Sequence, residues 1–236
     1  MRIVQVQHVY QLTFMPRLFP VNCYLVKEKE GLTLIDAGLP YNARGIEQAA
    51  VQIGQLITRM VLTHAHGDHV GALDKLKARY PDAQVFISRR DAPLLQGDVS
   101  LEAGEPNTPI RGDVPKHILT QPDVLLEDGD SVGSLLAISA PGHTPGSMAF
   151  LDTRTRALIA GDAFQTRGGI AVSGRLKPLF PFPALATWNK EISLESAKKL
   201  ASFNPSLLAV GHGNMLKHPQ SQLERAIMEM EQQCSV

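Results

Sequence analysis

The chain has 236 residues, of which 44% are hydrophobic and 19% charged, and this composition excludes a disordered or collagen-like protein. Lysine plus arginine and aspartate plus glutamate each number 23, so the formal net charge is zero and no overall field attracts nucleic acid or anionic lipid. We expect a single domain over residues 1–236 that acts on a small molecule, and the sequence is compatible with a monomer or a homodimer.

The two cysteines and the N-terminal segment indicate the cellular compartment in which the protein is expected. Cys23 falls in a predicted strand and Cys234 is close to the last residue, so they do not form a disulfide framework. The N-terminus lacks the basic stretch and apolar run of a signal peptide, and no apolar segment approaches the length of a membrane span. We therefore expect a cytoplasmic protein that does not bind membranes.

The first half of the chain predicts strands that alternate with helices. Runs rich in β-branched residues predict strands over residues 3–9, 21–26, 32–35, 60–63 and 85–87. Apolar residues at helical spacing predict helices over 42–53, 68–80 and 91–95. Asn42 is the expected N-cap of the first helix, and Pro81 ends the second. The polar, proline-containing stretch 96–123 predicts a surface loop over the site.

The second half repeats this order of strands followed by helices. Strands are predicted over residues 135–139, 148–152, 157–160 and 207–210. Residues 164–183 form a second irregular stretch, and helices are predicted over 185–203 and 220–233. Strands followed by helices, given twice, indicate an α/β protein with two sheets and helices on the outside.

The segment after the predicted strand 60–63 carries a dense set of metal-binding side chains. His64, His66, Asp68 and His69 place three imidazoles and one carboxylate within six residues. Imidazole nitrogen and carboxylate oxygen are the ligands that zinc-like ions take in catalytic sites, and such a cluster is costly unless positive charge lies between its members. The segment therefore predicts a metal site with two neighbouring positions, because the first two and the last two ligands project to different points.

Three further candidate ligands each follow a predicted strand. They are His143, Asp162 and His212, and each has a glycine beside it that allows close approach of the backbone. The three remaining histidines have no ligand-like neighbours, and we interpret them as surface or structural residues.

These residues resemble the signature of the metallo-β-lactamase superfamily, an HxHxDH loop followed by a distant His, then Asp, then His, and the match spans residues 36–212. The resemblance implies a four-layer αββα sandwich of two mixed β-sheets flanked by helices. It implies one metal held by His64, His66 and His143, a second held by Asp68, His69 and His212, and Asp162 bridging them. Asp36 would lie behind the ligands and orient one of the histidines.

The resemblance also implies a metallo-hydrolase in which two divalent ions share a bridging hydroxide and polarise the substrate. Zinc is the expected metal, with iron or manganese as alternatives. We hypothesise that Asp68 is also catalytic, because it could orient the hydroxide or pass a proton to the leaving group.

The substrate class is less sharply defined, because the family cleaves several kinds of bond with nearly the same ligands. The compact layout is closest to the lactonase and glyoxalase II-like small hydrolases, so a lactone, an ester, a thioester or a related small substrate is expected. The tyrosine that lactonases place after the bridging aspartate is missing, since Asp162 is followed by Ala163, Phe164, Gln165 and Thr166. An iron persulfide dioxygenase is the alternative, and a β-lactamase, a nuclease or a non-catalytic binding protein is less favoured.

Two apolar stretches predict the walls of a substrate pocket. Phe19 belongs to the first, and Phe164 and Phe180 belong to the second, which follows the predicted bridging aspartate. Binding sites usually combine such a lining with few polar anchors.

Overall fold

The computed structural model describes residues 1–234 and contains two large β-sheets. The first sheet has seven strands in chain order, with antiparallel pairing from the first to the fourth and parallel pairing from the fourth to the seventh. Its strands are β1 Arg2–Val6, β2 Val9–Phe14, β3 Val21–Lys27, β4 Leu32–Ile35, β5 Ile57–Val61, β6 Gln84–Ser88 and β7 Val124–Leu126.

The second sheet has six strands in the order β15-β14-β11-β10-β9-β8. Only β11 and β14 pair in parallel, so this sheet is mixed as well. Its strands are β8 Ser131–Val132, β9 Leu135–Ser139, β10 Met148–Asp152, β11 Ala157–Ile159, β14 Leu207–Ala209 and β15 Leu216–Lys217. A separate two-stranded ribbon pairs β12 Phe164–Gln165 with β13 Ala171–Val172.

Helices cover the outer face of each sheet. Apolar residues of α1 and α3 pack on the first sheet, and those of α6 and α7 pack on the second. The helices are α1 Ala43–Ile53, α2 Gly67–Val70, α3 Leu73–Arg79, α4 Ala92–Leu95, α5 Phe182–Leu185, α6 Lys190–Ser202 and α7 Gln220–Cys234. None of the helices within residues 1–234 is long and apolar enough to cross a membrane.

A third core lies between the two sheets and makes the fold a four-layer αββα sandwich. Tyr24, Ile35 and Val61 of the first sheet pack there against Phe150 and Ile159 of the second. Because β3 contributes to this core and also to the helix-facing core, its side chains are buried on both faces, and its sequence is apolar along almost its whole length. The predicted fold class is therefore confirmed.

The prediction of one strand over residues 3–9 was wrong, because this segment contains the first strand and the turn of a hairpin. Gln7 has a φ of 51°, which ends β1 and turns the chain into β2. Residues 10–14, which lie between two of the predicted strands, continue β2, and Leu12, Thr13 and Phe14 are buried. Sequence alternation alone did not show where the chain reversed, because the turn uses Gln7 and His8 rather than glycine or asparagine.

The helix predicted over 68–80 is divided in two, α2 followed by α3, and at the junction a side chain on Gly71 would collide with Pro40. The helix predicted over 185–203 begins later than expected, because α6 starts where the Asn189 side chain accepts a hydrogen bond from the Ile192 amide at 2.9 Å. The short helix α5 ends at Leu185 and lies mostly before the predicted range. Leu185 thus lies outside the longer helix and is exposed.

Asn42 lies at the start of α1 as predicted, but its side chain does not cap the helix. It accepts instead from the Leu39 amide at 2.8 Å and so closes the turn before the helix. The short strands β7, β8, β12, β13 and β15 were not predicted, since two or three residues give no usable periodicity.

Candidate metal centre

The seven predicted ligands lie together where several strands end. His64, His66, Asp68 and His69 follow β5, and the last two belong to α2. The other three follow the C-terminal ends of β9, β11 and β14. These ends lie at the same edge of the second sheet, because all three strands run in the same direction: β11 and β14 are parallel neighbours, and β9 and β11 are both antiparallel to β10. These three are His143, Asp162 and His212.

His64, His66 and His143 form the first group of possible metal ligands. One nitrogen from each ring lies within 4.8 Å of the others, and all three rings are buried. The centroids of the His64 and His66 rings are 4.8 Å apart, and those of the His66 and His143 rings are 4.7 Å apart. Three imidazoles at this spacing can coordinate one ion.

Asp68, His69 and His212 form the second group. Asp68 Oδ2 lies 3.4 Å from His212 Nε2 and 3.9 Å from His69 Nε2. Their ligand atoms also lie within 4.8 Å of one another. Asp68 is the only member of the group that is partly exposed, with 20% of its side chain accessible, so it can reach both an ion and a molecule in the cavity.

The Asp162 carboxylate lies between the two groups. Its Oδ1 is 3.5 Å from His69 Nε2, and its Oδ2 is 3.4 Å from His143 Nε2 and 3.2 Å from His212 Nε2. A side chain on Gly211 would overlap this carboxylate, so glycine is required there. Asp162 thus contacts members of both groups, as a bridging ligand must.

Backbone carbonyls fix the orientation of two of the rings. His212 Nδ1 is 2.7 Å from the Pro20 carbonyl, and His66 Nε2 is 2.9 Å from the Arg111 carbonyl. A carbonyl can only accept, so these nitrogens carry the proton, and the other nitrogen of each neutral ring presents a lone pair to the centre. Fixed tautomers of this kind are typical of metal-binding histidines.

A chain of hydroxyl groups fixes the His143 ring in the same way. Thr187 Oγ1 donates to the Pro183 carbonyl at 2.7 Å, so the Ser173 hydroxyl donates to Thr187 at 2.8 Å. Ser173 Oγ is then free to accept from His143 Nδ1 at 2.9 Å. The Nε2 lone pair of His143 consequently faces His66 Nδ1 at 3.0 Å, and two lone pairs at that distance repel each other unless a proton or a cation lies between them.

Asp36 orients two further histidines from behind. It accepts from His69 Nδ1 at 2.8 Å and from the Thr63 hydroxyl at 2.8 Å. Because the Thr63 hydrogen is used in this way, Thr63 Oγ1 accepts from His64 Nδ1 at 3.0 Å. Asp36 has a φ of 61°, a conformation that aspartate tolerates better than most residues. It also accepts from the Thr63 amide at 2.8 Å, which fixes the start of the ligand loop.

The buried polar atoms of the site fit a bound cation. His64 Nε2, His69 Nε2 and Asp162 Oδ1 are buried and have no hydrogen-bond partner within residues 1–234. Buried polar atoms without partners are rare in folded proteins because each one costs desolvation energy. Here all three belong to the predicted ligand set and face one another, so divalent metal binding satisfies them together.

The pKa values separate the two groups of ligands. Burial lowers the pKa of His143 to about 3, although Asp162 opposes this shift. Burial also disfavours the charged form of His69, but Asp162, Asp68 and Asp36 outweigh it and raise its pKa to about 9. The pKa of His212 is raised mainly by Asp162. The carboxylates therefore favour positive charge around His69 and His212, where a bound cation can replace the protons on these two rings.

Asp91 is a structural residue of the site that the sequence analysis missed. It is fully buried and accepts from the Ala65 amide at 3.0 Å, the Thr144 hydroxyl at 2.7 Å and the Gly146 amide at 2.8 Å. It therefore joins the loop of His64 and His66 to the loop of His143. The only available signal was an aspartate at the predicted start of a short helix, which indicates an N-cap rather than this contact.

A buried polar cluster, formed by Gln11, Asn22 and Tyr24, holds the loop of His212. Asn22 Nδ2 donates to the carbonyls of Val210 and Gly213, both at 2.8 Å. Tyr24 donates to Val210 at 2.7 Å, and Gln11 donates to Gly213 at 2.9 Å. Burial raises the pKa of Tyr24, so its hydroxyl stays a donor. The first sheet thus holds a ligand loop of the second.

The long connection 96–123 contacts the ligand loop directly. Besides the Arg111 carbonyl, the Asp113 carbonyl accepts from the Gly67 amide at 2.7 Å. Gly112 has a φ of 93°, and a side chain there would overlap the His66 ring. Trp188 Nε1 donates to the Thr108 carbonyl at 2.9 Å and ties the same connection to the start of α6.

A cavity of about 420 Å³ opens onto the candidate ligands. Phe19 lines it as the sequence analysis expected, whereas Phe180 is buried behind Phe19, with ring centroids 5.3 Å apart. Phe164 is fully buried in the core between the second sheet and its helices and does not line the cavity. The cavity wall is instead completed by residues of α5, a short helix that the sequence pattern did not predict. The apolar lining consists of Phe19, Leu39, Phe182, Pro183, Leu185 and Ala186.

The sequence profile of the metallo-beta-lactamase superfamily matches residues 16–212. Together with the αββα sandwich and the His/Asp cluster at its edge, this match shows that the chain belongs to the metallo-β-lactamase superfamily. The resemblance seen in the ligand motif is confirmed.

Two relatives and one solved structure illustrate the similarity. The uncharacterized protein YobT of Bacillus subtilis (strain 168) is 61% identical over 97% of this chain and 98% of its own length. The probable metallo-hydrolase YflN of the same organism is 31% identical over 81% of this chain and 80% of its own. The crystal structure of TTHA1623 in a di-iron-bound form superimposes with a TM-score of 0.64 over 89% of this chain and 96% of that chain, and the two sequences are 29% identical. The chain is accordingly an enzyme of this superfamily.

Proposed function

We propose that the chain is a dinuclear metallo-hydrolase that cleaves a lactone, an ester or a thioester. His64, His66 and His143 hold one divalent ion, Asp68, His69 and His212 hold the other, and Asp162 bridges them. Zinc is the metal we favour, because the seven ligands are imidazole nitrogens and carboxylate oxygens. Iron and manganese accept the same donors, and the similar structure of TTHA1623 is a di-iron form.

The position of Asp162 is the observation that carries the proposal. One carboxylate oxygen faces His69, and the other faces both His143 and His212. A buried carboxylate with so many imidazoles around it is typical of a ligand shared by two ions. The ligand atoms of His64, His69 and Asp162 also lie within 4.8 Å of one another, so one ion among them would satisfy all three unpartnered atoms. The second ion is supported by the two further groups on either side of Asp162.

The bound ions would supply an activated water molecule and polarise the carbonyl oxygen of the substrate. Asp68 points into the cavity, and the nearby His69 and His212 lower its pKa against the effect of burial, so it is an anion that accepts hydrogen bonds. It can therefore orient the attacking water by accepting a hydrogen bond from it, and its low pKa lets it pass the water's proton on to the leaving group instead of holding it. Hydrolysis adds this water across the acyl bond, and the proton passes to the departing oxygen or sulfur.

The apolar wall of the cavity favours an acyl substrate. Phe19 and the residues of α5 line the cavity beside the ligands, and the Phe19 ring lies 5.3 Å from that of His212 and 5.1 Å from that of Phe182, edge-on to both. Burying the acyl chain against these side chains binds the substrate, while the polar groups that remain act on the bond to be cleaved.

Elemental analysis combined with a substrate panel tests the proposal. Purified protein should contain two divalent ions per chain and should hydrolyse members of a panel of lactones, oxoesters and thioesters. The persulfide dioxygenase alternative instead expects one iron and oxygen consumption with glutathione persulfide. Metal-loaded protein that cleaves no member of the panel would contradict the proposed hydrolase.

The role of Asp68 is tested separately with Asp68→Asn. The amide keeps the size of the side chain but cannot accept a proton, so kcat should fall at least about a hundredfold. The variant must be compared at full metal occupancy, measured in the same sample. Wild-type turnover in the fully loaded variant would refute the catalytic role of Asp68.

A further inference from the structure

The charged side chains that line the cavity are all acidic. Three carboxylates line it, those of Asp68, Asp113 and Asp162, whereas no lysine or arginine within the described residues 1–234 does so. Arg111, the neighbour of Asp113, contributes its backbone carbonyl to the site through His66. Arg167, near the apolar rim, donates to the Arg17 carbonyl.

Asp113 is the member of this set that the metal proposal does not use. It comes from the long connection 96–123 and is held beside the ligand loop by the hydrogen bond from Gly67 to its carbonyl. A side chain on Gly67 would collide with the Asp113 carboxylate, so the glycine between His66 and Asp68 makes room for it. This position is maintained by the backbone and does not depend on the Asp113 side chain.

Asp113 adds a carboxylate to a cavity wall that already carries those of Asp68 and Asp162. No lysine or arginine within residues 1–234 lines the cavity to pair with an anionic group of a substrate. Asp113 is exposed at the cavity wall and repels such a group.

From this lining we infer that the enzyme selects acyl substrates without a negative charge and that Asp113 is a specificity-determining residue. The inference rests on the proposed function and narrows it. Substrates with a carboxylate or phosphate near the bond to be cleaved bind poorly, because a charged group would lose its hydration in an apolar cavity without gaining a cation. Neutral esters, thioesters and lactones with an apolar chain fit both the charge and the walls.

A matched pair of esters tests the inference. The 4-nitrophenyl ester of hexanoic acid and the 4-nitrophenyl monoester of adipic acid have similar length and differ in a terminal carboxylate. We expect kcat/KM to favour the neutral ester by about tenfold or more, the size expected for like charges at partly screened range. Asp113→Asn should reduce this ratio, and Asp113→Lys should reduce it further or invert it.

Asp98→Asn serves as the matched control, because Asp98 lies in the same connection, is exposed, and does not line the cavity. Its ratio should equal that of the wild type. Equal kcat/KM for both esters in the wild type would overturn the inference, as would a ratio that Asp113→Asn leaves unchanged.

Binding of the corresponding amides separates this inference from the proposed function. Trp188 is the only tryptophan of the chain and contacts both the long connection and the His143 loop, so its fluorescence should report ligand binding. Hexanamide should bind more tightly than the monoamide of adipic acid. If this preference holds but neither ester is cleaved, the hydrolase proposal fails and the charge selection stands. Equal binding of the two amides would contradict the charge selection alone.

Discussion

Asp36 shows how one residue outside the ligand set controls the site. Its carboxylate accepts from His69 directly and reaches His64 through the Thr63 hydroxyl. It therefore sets the tautomer of one histidine in each of the two groups. The sequence suggested Asp36 by its resemblance to the family pattern, but it gave no means of finding the Thr63 link, because a threonine before a histidine-rich loop is ordinary strand composition.

Asp36→Asn should weaken metal binding more than folding. The amide can keep one contact to Thr63 but loses the charge that stabilises the His69 tautomer, and such outer contacts are worth about 10–100-fold in metal affinity. Competition with a chromophoric chelator measures the loss. Asp74→Asn is the control, since Asp74 accepts from Leu119 and Thr120 away from the site. Equal metal affinity in Asp36→Asn and wild type would contradict the role of Asp36.

The raised pKa values of His69 and His212 predict that metal binding releases protons. Without metal, His69 has a pKa of about 9 and is protonated at pH 7.5, whereas His143 with a pKa of about 3 is already neutral. Ligation requires neutral rings, so about two protons should leave, one each from His69 and His212. Titration calorimetry in buffers of different ionisation enthalpy counts them. A heat of binding that is the same in every buffer would show that no proton leaves.

At the scale of elements, the loops that carry the ligands are held by parts of the chain far away in sequence. The cluster of Gln11, Asn22 and Tyr24 belongs to β2 and β3, yet it binds the carbonyls on both sides of His212. Asn22 and Gln11 interrupt apolar strands, and this was the only trace of the cluster in the sequence. Local patterns predict which segments are strands, but they do not show which polar group meets which carbonyl.

Asn22→Ala should loosen the His212 loop. It removes two hydrogen bonds, those to the Val210 and Gly213 carbonyls, each of which keeps its donor from Tyr24 or Gln11. A lost hydrogen bond costs roughly 0.5–1.5 kcal/mol. We expect lower stability in urea and weaker binding of one of the two ions, the one held by Asp68, His69 and His212. Asn107→Ala, at an exposed position of the long connection, is the control. If Asn22→Ala bound both ions as tightly as the wild type, the cluster would have no positioning role.

Strands that form one uninterrupted run between turn residues were predicted more accurately than turns and helix breaks. The strands over 32–35, 135–139 and 148–152 were predicted to the residue, since each is an uninterrupted run bounded by turn residues. The β1–β2 hairpin, the break between α2 and α3 and the short helix α5 were not predicted. Each depends on a turn or a close approach of backbones that the sequence pattern does not mark. Phe164 was assigned to the pocket because it belongs to the apolar stretch after Asp162, and the sequence did not show that this residue enters the core as part of β12.

At the scale of the whole molecule, the candidate ligands join the two sheets. Four follow β5 of the first sheet, and three follow strands of the second sheet. An ion bound between them links the two halves of the chain across the edge of the sandwich. The fold class and this convergence could be predicted from the sequence because the ligand motif is specific, whereas the walls of the cavity depend on loops and could be predicted only in part.

Removal of the metal should therefore destabilise the whole fold. Each ion bound with a free concentration about a thousandfold above its Kd contributes about 4 kcal/mol, which corresponds to a Tm higher by roughly 8–16 °C per ion for a chain of this size. Calorimetry before and after dialysis against a chelator measures the difference. In Asp162→Ala, which lacks the carboxylate proposed to bridge the ions, the chelator should change Tm much less. A Tm that is unaffected by the chelator in the wild type would contradict a link between the sheets.

The most direct test of the two-ion site is anomalous X-ray diffraction from crystals of the metal-loaded protein, recorded at the absorption edge of the metal. Our interpretation predicts two anomalous peaks per chain, one within coordination distance of His64, His66 and His143 and the other within that of Asp68, His69 and His212, with Asp162 contacting both. A single peak, or peaks remote from these side chains, would contradict it.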